Sequence, residues 1–386
     1  MEAPAGRRLR VLHLVANRWW TGSADPVIRL VRGLEARGHQ VRLALVRGDR
    51  FEAKAREAGI EPVAGLSLDV KSAPWSWAGD LSRLRALVRR DAVEVIHTHH
   101  SHDHWLGALC RGGAALARTF HNQRAVKRGP LRRALYRRTD AVLTVSRQIE
   151  ARCRLAGIAP ERIFRVSGVV DLGRFTAPAD PTKVRDELGL DGADAAAPVI
   201  GPVIGTVARL AHNRGHELLI RGFRLLLPRY PRARLLLVGK GEARPRLEAL
   251  VRELGMEREI LFTGYRDTDL PNVLHALDTF VLMGAGSDES CRAALEAMAA
   301  GRPVVARRVG ALPDAIEHGV TGLLVDDERP ESVETALATL AADPEGARRM
   351  GAAGRRHAVE TFSPEHHAAE VEAIYLEILA RRGRPS

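Results

Sequence analysis

The sequence predicts an α/β protein built from two successive parallel-sheet domains, and three observations predict this fold class. A chain of 386 residues is too long for one ordinary hydrophobic core, so two domains are expected. Short apolar runs alternate with longer runs of helical periodicity, which is the pattern of βα units. The alternation is interrupted once, near residue 180, and then restarts.

The first half predicts one doubly wound domain over residues 1–175. Its strand-like runs are residues 10–15, 40–46, 93–97, 115–120, 141–145 and 163–166. Helical patterns lie between these runs. The pattern at 26–37 is closed by Gly38, in the position after a helix that favours a left-handed residue.

The second half predicts another such domain over residues 199–362. Residues 176–198, rich in proline, alanine and aspartate, predict the interdomain connection, with a short helix at 183–188. The later strand-like runs are residues 203–207, 233–238, 260–263, 279–283, 304–306 and 323–325. Residues 363–386 carry an amphipathic helix pattern, and we expect this helix to pack back toward the first domain.

The amino-acid composition limits which classes of function the protein can have. Hydrophobic residues make up 45% of the chain and charged residues 27%, as in a soluble globular enzyme. Only 4% are aromatic, which disfavours binding of single-stranded nucleic acid on stacked rings. The net charge of +12 favours anionic partners, although a solvated basic surface explains much of it equally well.

Cysteine usage and hydropathy predict the compartment. The three cysteines are far apart and form neither a disulfide framework nor a zinc pattern, so a reducing cytosol is expected. The N-terminal apolar run is too short for a signal peptide, and no stretch reaches the length of a membrane span. Any membrane contact is therefore expected to be peripheral.

The segment 279–310 carries the strongest local signal. An apolar strand leads into a loop of small residues at 284–290, and a strong helix-forming run follows. Free backbone N–H groups at a helix N-terminus suit a diphosphate, with Ser290 as a candidate N-cap. Inside the helix, Glu296 lies among alanines, where its carboxylate can accept two hydrogen bonds from a ribose diol. The alternative is a surface ion pair with Arg292, four residues earlier.

This segment resembles the signature of glycosyltransferase family 4, whose members are retaining enzymes of the GT-B fold. In that family an acidic residue, seven intervening residues and a Glu precede AMA-x-G-x-PVVA, and Asp288 and Glu296 hold those positions here. The resemblance implies that Glu296 binds the ribose and that Asp288 orients the donor sugar. The family usually has Gly-Phe-Gly after the first acid, whereas this chain has Glu289-Ser290-Cys291. Glu289 is the alternative first acid, at a spacing one residue shorter.

Two further loops match the family. Arg209 and Arg214 follow a predicted strand, and guanidinium groups bind phosphate oxygens bidentately. The resemblance assigns both to the diphosphate, with Arg214 in place of the family's Lys; two solvated loop arginines are the alternative. After the first strand, where the family usually has two glycines beside the donor phosphates, this chain keeps Gly22. A simple strand-to-helix turn explains that glycine almost as well.

The histidines near the first domain's strand ends form a dense group, HTHHSHDH at residues 97–104. A metal site is the alternative there, but histidines are common at strand ends in this fold and the family needs no metal, so we predict none. His99 is the histidine that we expect to face the acceptor. His121 follows the next predicted strand, and the resemblance implies that it contacts the donor sugar.

Two other stretches have competing interpretations. From Arg118 to Arg138 the chain holds eight Arg or Lys residues and no acid. This stretch predicts either a surface that attracts an anionic lipid or a phosphorylated glycan, or a solvated basic helix. Asp267-Thr-Asp269 resembles a metal motif of another transferase fold, but it precedes a helix pattern with Pro271 in the first turn. Helix capping is therefore the predicted role.

Together these features predict a GT-B enzyme with two Rossmann-like doubly wound domains facing a central cleft. We expect a retaining glycosyltransferase that moves a sugar from a UDP- or GDP-sugar to an acceptor hydroxyl of a glycan or lipid-linked acceptor, in the synthesis of cell-surface polysaccharide, lipopolysaccharide or glycolipid. No cofactor, metal or nucleic-acid partner is predicted, and the location is cytoplasmic, with the inner face of the membrane as a peripheral site. The alternatives are an epimerase or phosphorylase on the same fold, and a non-catalytic basic adaptor on a transferase scaffold.

Overall fold

A computed structural model describes residues 7–17, 24–69, 74–190, 201–285 and 289–383. The chain divides into two compact units. Of the described residues, the first unit holds those up to Val169, residues 289 and 290, and the C-terminal helix from Pro364 onward. The second unit holds Val170 to residue 285 and Cys291–Ser363.

The first unit is a parallel α/β sheet with helices between its strands. Its described strands are β1 (Arg10–Val15), β2 (Gln40–Leu45), β3 (Val95–Thr98), β4 (Ala115–Phe120), β5 (Ala141–Thr144) and β6 (Ile163–Arg165). Its described helices are α1 (Asp25–Ala36), α2 (Arg50–Glu57), α3 (Pro74–Arg90), α4 (Ser101–Cys110), α5 (Pro130–Arg137) and α6 (Arg147–Leu155), with the C-terminal helix given below. The strand order is β2-β1-β3-β4-β5-β6, all neighbours being parallel.

The second unit repeats this architecture. It begins with the short helices α7 (Leu172–Phe175) and α8 (Thr182–Glu187). Its described strands are β7 (Val203–Val207), β8 (Arg234–Val238), β9 (Ile260–Gly264), β10 (Thr279–Leu282), β11 (Val304–Arg307) and β12 (Gly322–Val325), in the order β12-β11-β10-β7-β8-β9. Its remaining described helices are α9 (His216–Leu226), α10 (Arg244–Glu253), α11 (Leu270–Ala276), α12 (Arg292–Ala299), α13 (Leu312–Ala315), α14 (Pro330–Ala342) and α15 (Pro344–Thr361).

The apolar runs in the sequence correspond to these strands, and the predicted fold class is confirmed. Each predicted strand is present among the described residues, with ends shifted by no more than two residues. The largest shift is at β3, which begins at Val95, because Ala92 takes a left-handed backbone (φ 46°) and the chain only then enters the sheet. Such buried parallel strands need continuous apolar runs, which is why the sequence showed them clearly.

The division between the units comes after Val169, earlier than the boundary at 175 expected from composition. The reason is packing, since Val170, Phe175 and the α8 residue Val184 are all at most 3% exposed and belong to the second unit's core. Residues 191–200, the rest of the expected connection, lie outside the described residues.

The C-terminal helix α16 (Pro364–Gly383) belongs to the first unit. It packs against α1 so closely that a Cβ at Gly33 would lie 2.7 Å from the Cβ of Ala368. A buried polar contact supplements this packing, because His39 Nε2 lies 2.9 Å from a carboxylate oxygen of Glu372, which also pairs with Arg37. The helix thereby covers the sheet with apolar and polar contacts together.

Candidate functional site

The carboxyl ends of β7 and β10 lie side by side in the second sheet, because these strands are parallel neighbours. The two loops that follow them touch backbone to backbone. A Cβ at Gly284 would lie 2.6 Å from the Asn213 carbonyl oxygen, and a Cβ at Gly215 would lie 2.6 Å from the Met283 Cβ. Gly215 also has φ +71°, a left-handed conformation that favours glycine. Glycine at both positions permits this close approach.

Arg214 lies at this junction. Its guanidinium donates a hydrogen bond of 2.9 Å to the Ala285 carbonyl, in the loop after β10. The loop after β7 is held by a second contact, in which His216 Nε2 lies 3.1 Å from the Arg209 carbonyl oxygen. Burial lowers the pKa of His216, so the neutral ring donates this bond. The backbone that carries both arginines is therefore fixed on two sides.

Arg209 itself extends from the loop after β7. Its guanidinium lies 3.0 Å from the carboxylate of Glu242, in the loop after β8, and its side chain is 69% exposed. Hydrogen bonds from the Glu242 backbone and from Arg209 lower the pKa of that carboxyl. The loop after β8 can approach because Gly239 and Gly241 have no side chain; a Cβ at either would lie within 2.3 Å of a backbone oxygen of residues 208 and 210.

Helix α12 begins at Arg292, and its N-cap is Cys291 rather than the predicted Ser290. Cys291 takes a left-handed backbone (φ 54°, ψ 39°) and its side chain caps no N–H group. Ser290 is buried, immediately before this turn. The physical reason for the difference is that the chain enters α12 through a left-handed residue, which stands where the family pattern has its second glycine.

Glu296 lies in the second turn of α12, and its side chain is 11% exposed. The pair with Arg292 that local spacing predicts does form, with Nε 3.1 Å from Oε1. It is not a solvated surface pair, because Glu296 is largely buried and α12 packs in the second unit's core on both sides of it. A carboxylate held this way is oriented in advance by its arginine partner.

Two predicted residues, Gly22 and Asp288, lie outside the described residues. Glu289, the alternative first acid, is described and belongs to the first unit. Its carboxylate accepts hydrogen bonds from the backbone N–H of Gln123 (2.9 Å) and from the Gln123 side chain (3.2 Å), and its own N–H donates to the His121 carbonyl (2.9 Å). The Glu289 side chain is thus engaged in positioning the residues after β4.

Asp269 does not cap α11 as the sequence predicts. It occupies the N-cap position, but its side chain makes no capping hydrogen bond and instead accepts one of 2.7 Å from Arg266. Arg266 also pairs with Glu187, and these carboxylates raise the pKa of its guanidinium. Pro271 does lie in the first turn, as predicted.

In the first unit, the order β1-β3-β4 brings four histidines together. His13 of β1 is the register partner of His97 of β3, while His99 follows β3 and His121 follows β4. His13 Nδ1 lies 3.1 Å from His99 Nε2, and His99 Nδ1 lies 3.4 Å from His121 Nε2. His97 uses its nitrogens differently, with Nδ1 2.6 Å from the hydroxyl of Tyr375 in α16 and Nε2 2.7 Å from the hydroxyl of Thr119.

These rings are buried and neutral. Desolvation lowers the pKa of His13 to about 3, and it lowers the pKa values of His97, His99 and His121 well below their usual range, with smaller contributions from neighbouring histidines and Arg118. The rings of His13 and His99 are inclined by only 18°, and those of His99 and His121 by 24°. The predicted residues His99 and His121 are therefore brought together, and His13 joins them.

A metal ion is the other use that such a group suggests. Ligand nitrogens of His13, His97 and His99 lie within 4.8 Å of one another. However, both nitrogens of His97 already have hydroxyl partners, and no carboxylate belongs to the group among the described residues. The donor set is better satisfied by hydrogen bonds than by a cation, and the absence of a metal requirement stays a prediction.

The basic stretch from Arg118 to Arg138 is not one continuous surface. Arg118 is only 1% exposed, pairs with the fully buried Asp103 at 3.4 Å, and has its pKa lowered to about 10 by burial. This corrects the expectation that Arg118 contributes to a basic face, because the central strand β4 is buried on both faces along its whole length. The exposed cations lie beyond Asn122 and along the outer face of α5, whose inner residues Leu135 and Tyr136 are buried.

No helix among the described residues has both the length and the apolar character needed to cross a membrane.

Sequence reasoning missed several residues that the structure links to the predicted ones. Glu242 contacts Arg209, His13 contacts His99, and Tyr375 contacts His97. Each comes from an element distant in sequence from its partner, and only the parallel strand order and the placement of α16 bring them together. His13 carried one signal, since a histidine inside an otherwise apolar strand is unusual in a protein core.

Comparisons with known proteins agree with this architecture. The sequence model of the protein family glycosyl transferases group 1 matches residues 194–357. The sequence model of glycosyltransferase family 4 matches residues 21–174. Between them, the two matches span most of both predicted domains.

Curated relatives cover most of the chain. It is 29% identical to D-inositol 3-phosphate glycosyltransferase of Segniliparus rotundus, over 97% of this chain and 90% of that protein. It is 30% identical to the GDP-mannose-dependent alpha-(1-6)-phosphatidylinositol monomannoside mannosyltransferase of Mycolicibacterium smegmatis, over 76% of this chain and 73% of that one. It is also 30% identical to the D-inositol 3-phosphate glycosyltransferase of Corynebacterium glutamicum, over 83% and 80%.

Solved structures show the same fold. A glycosyltransferase from Rickettsia africae superposes with a TM-score of 0.82 at 18% identity, over 97% of this chain and 99% of that one. HepE of Anabaena, crystallised with UDP and glucose, superposes with a TM-score of 0.77 at 20% identity, over 95% and 99%. The two parallel six-stranded sheets, the family matches and these likenesses agree. The chain is a glycosyltransferase with the GT-B fold and belongs to glycosyltransferase family 4.

Proposed function

We propose that this enzyme moves a sugar from a UDP- or GDP-sugar to a hydroxyl of a phosphate-bearing acceptor, with retention of the anomeric configuration. The observation that carries the donor half is the placement of Arg209 and Arg214 in the loop after β7, where Arg209 reaches Glu242 after β8 and Arg214 reaches Ala285 after β10. Ligands of open α/β sheets bind at such strand ends. Both nucleotides occur among the similar proteins, since one relative is GDP-mannose-dependent and HepE was crystallised with UDP.

In this mechanism the two arginines stabilise the negative charge that develops on the leaving diphosphate. The fixed backbone around Arg214 holds its guanidinium in place before the donor binds, so little reorganisation is needed during transfer. Arg209 must exchange Glu242 for a phosphate oxygen, which its 69% exposed side chain can do. Glu296 accepts hydrogen bonds from the ribose diol, and the helix N-terminus after Ser290 binds the diphosphate. Gly22, without a side chain, lets the backbone approach the donor phosphates, and Asp288 and His121 contact the donor sugar.

Donor class is tested by thermal unfolding with UDP-, GDP- and ADP-sugars. A ligand at 100 times its dissociation constant adds about 2.7 kcal/mol to the free energy of unfolding. One class should therefore raise the melting temperature clearly above the others. If no nucleotide sugar raises it, the donor assignment is wrong.

The Glu296 assignment is tested by Glu296→Gln, which keeps the shape and removes the charge. Hydrogen bonds to a charged group contribute about 1.5–3 kcal/mol each, so donor affinity should fall at least tenfold. Glu345→Gln is the matched control, because that carboxylate is 79% exposed on α15. Equal donor affinity in both variants would contradict the assignment.

Retention is tested on the product. The anomeric configuration of the transferred sugar, read from its proton coupling by NMR at early times, should equal that of the donor. An inverted product would refute retention. Release of an altered sugar nucleotide in the absence of any acceptor would instead support the epimerase alternative.

The acceptor half of the proposal rests on charge. The protein carries a net charge of +12, and the cations after β4 and along α5 form an exposed group with the 73% exposed Leu131. Relatives are named for D-inositol 3-phosphate and for a phosphatidylinositol mannoside, and both acceptors contain phosphate. We infer that this basic face attracts an anionic, lipid-linked acceptor at a membrane surface.

Co-sedimentation with vesicles tests the basic face. The double variant Lys127→Ala, Arg128→Ala should bind phosphatidylserine vesicles about thirtyfold more weakly, since each cation near an anionic surface contributes about 1 kcal/mol. Arg348→Ala, Arg349→Ala on α15 is the control and should bind as the parent does. If the parent protein does not bind anionic vesicles better than neutral ones, the membrane part of the proposal fails and a soluble phosphorylated acceptor becomes the better candidate.

A further inference from the structure

Three buried histidines form a continuous line of ring contacts across the first sheet. The line runs from His13 in β1 through His99 after β3 to His121 after β4, with nitrogen separations of 3.1 and 3.4 Å. Consecutive rings are nearly parallel, and each is at most 6% exposed. His97 packs against His99, but its two nitrogens are used by Tyr375 and Thr119, so it is not part of the line.

A line of neutral imidazoles has a direction. Each neutral ring carries one N–H and one bare nitrogen, so the two contacts form as hydrogen bonds only if every ring donates toward the same end. One arrangement has His13 donating to His99 and His99 donating to His121. The reverse arrangement has His121 donating to His99 and His99 donating to His13.

The end of the line at His13 distinguishes these two arrangements. His13 Nε2 is buried and has no hydrogen-bond partner among the described residues. In the reverse arrangement this atom carries a proton, and a buried N–H without an acceptor is rare and costly. In the forward arrangement it is a bare nitrogen, which is the less costly of the two. The forward direction is therefore favoured.

We propose that His13 and His99 are positioning residues that fix His121 as its Nδ1–H tautomer, so that His121 presents an uncharged N–H donor to a hydroxyl oxygen of the donor sugar. The inference rests on the proposed function, in which His121 contacts that sugar. His121 Nε2 accepts the hydrogen bond from His99 Nδ1, and His121 Nδ1 has no hydrogen-bond partner among the described residues. Burial keeps all three rings neutral, which preserves the line at neutral pH.

The tautomers can be measured without any reference to activity. Long-range ¹H–¹⁵N correlation spectra of protein with ¹⁵N-labelled histidine rings distinguish protonated from bare nitrogens, and the His121 signals are assigned by their loss in His121→Gln. The expected result is a neutral ring protonated at Nδ1 for His13, His99 and His121. Protonation of His121 at Nε2, or an imidazolium at pH 7.5, would overturn the proposal.

A matched pair of variants tests the role of His13. His13→Asn places an amide N–H near the position of the lost Nδ1–H, whereas His13→Leu has a similar shape and no donor. We expect His13→Leu to weaken the Nδ1–H preference of His121 and to lower kcat about three- to tenfold, the effect of one neutral hydrogen bond. His13→Asn should restore both the tautomer and most of the turnover. Equal turnover in His13→Leu and the parent enzyme would refute the positioning role.

Two controls distinguish the directed line from a metal site and from a failure of the proposed function. If zinc chloride raises the melting temperature of the parent protein but not of His13→Leu, the histidines form a metal site, and the hydrogen-bonded line is wrong. If the three tautomers are found as expected but the parent enzyme transfers no sugar from any nucleotide sugar, the proposed function fails and the directed line of histidines stands.

Discussion

The close approach of the loops after β7 and β10 makes Gly284 a sensitive position. In Gly284→Ala the new Cβ would lie 2.6 Å from the Asn213 carbonyl oxygen and 2.8 Å from the Cα and carbonyl carbon of Arg214. Ordinary van der Waals contact begins at 3.4 Å, so the Asn213 carbonyl is too close by about 0.8 Å. All three contacts are with backbone, which cannot move away by a change of rotamer.

Two effects of different size follow from this clash. Forcing a group into a packed site typically costs about 1–3 kcal/mol, so the free energy of unfolding should fall by that amount. The backbone that must move carries Arg214, whose guanidinium is held on the Ala285 carbonyl. Misplacement of a catalytic group by about 1 Å can reduce the rate about a hundredfold, so turnover should fall more than stability alone explains.

Urea unfolding and the initial rate of sugar transfer measure the two effects on the same preparation. Gly173→Ala is the matched control, because the nearest atom to its new Cβ is an Asp171 side-chain oxygen at 3.6 Å and the position lies in the short helix α7. The control should be as stable as the parent, or slightly more so. A Gly284→Ala variant with unchanged stability and unchanged turnover would show that the two loops do not meet as described.

Three further predictions concern the contacts around the site. Glu242→Gln should tighten UDP or GDP binding measured by calorimetry, because Arg209 no longer has to leave a carboxylate to reach phosphate; weaker binding would assign Glu242 a direct role. Tyr375→Phe should lower the free energy of unfolding by about 1 kcal/mol through the lost hydrogen bond to His97, whereas Tyr230→Phe should change it little. The free energy of unfolding should also fall between pH 7.5 and 5.5, because in this range the buried histidines bind protons only when the chain is unfolded and their pKa is near 6.5. Each such histidine should lower the free energy of unfolding by about 1.4 kcal/mol at pH 5.5. In His13→Asn, the fall measured by urea unfolding should be smaller by that amount.

The sequence predicted the sheets well because parallel strands are buried on both faces and must be apolar throughout. The runs at residues 115–120 and 203–207 match β4 and β7 to the residue. The N-terminus of α12 was predicted less well. A serine before a helix suggests an N-cap, but Cys291 enters the helix in a left-handed conformation that no residue preference indicates.

The candidate site was predictable where the family pattern is local in sequence and not where partners come from distant strands. Arg209, Arg214 and Glu296 were chosen from the family pattern in their loop and helix, and their role at the donor stays a prediction. The line that includes His13 depends on β1 lying beside β3, and the Tyr375 contact depends on α16 packing against the first sheet. The burial of Arg118 was missed for the same reason, because its partner Asp103 lies on α4.

The departure from the family pattern after Asp288 has a structural meaning. Where the family usually has glycine, Glu289 binds the backbone and side chain of Gln123, and Cys291 supplies the left-handed residue that starts α12. Cys291 thus keeps the turn that glycine would make, although a left-handed backbone is strained for a residue with a side chain. Glu289 adds a carboxylate that holds the residues after His121 in place. Arg209 and Arg214, which we propose bind the diphosphate, lie outside this segment, in the loop after β7. We therefore expect this enzyme to differ from other family members in the sugar and the acceptor that it selects, and to bind the nucleotide diphosphate as they do.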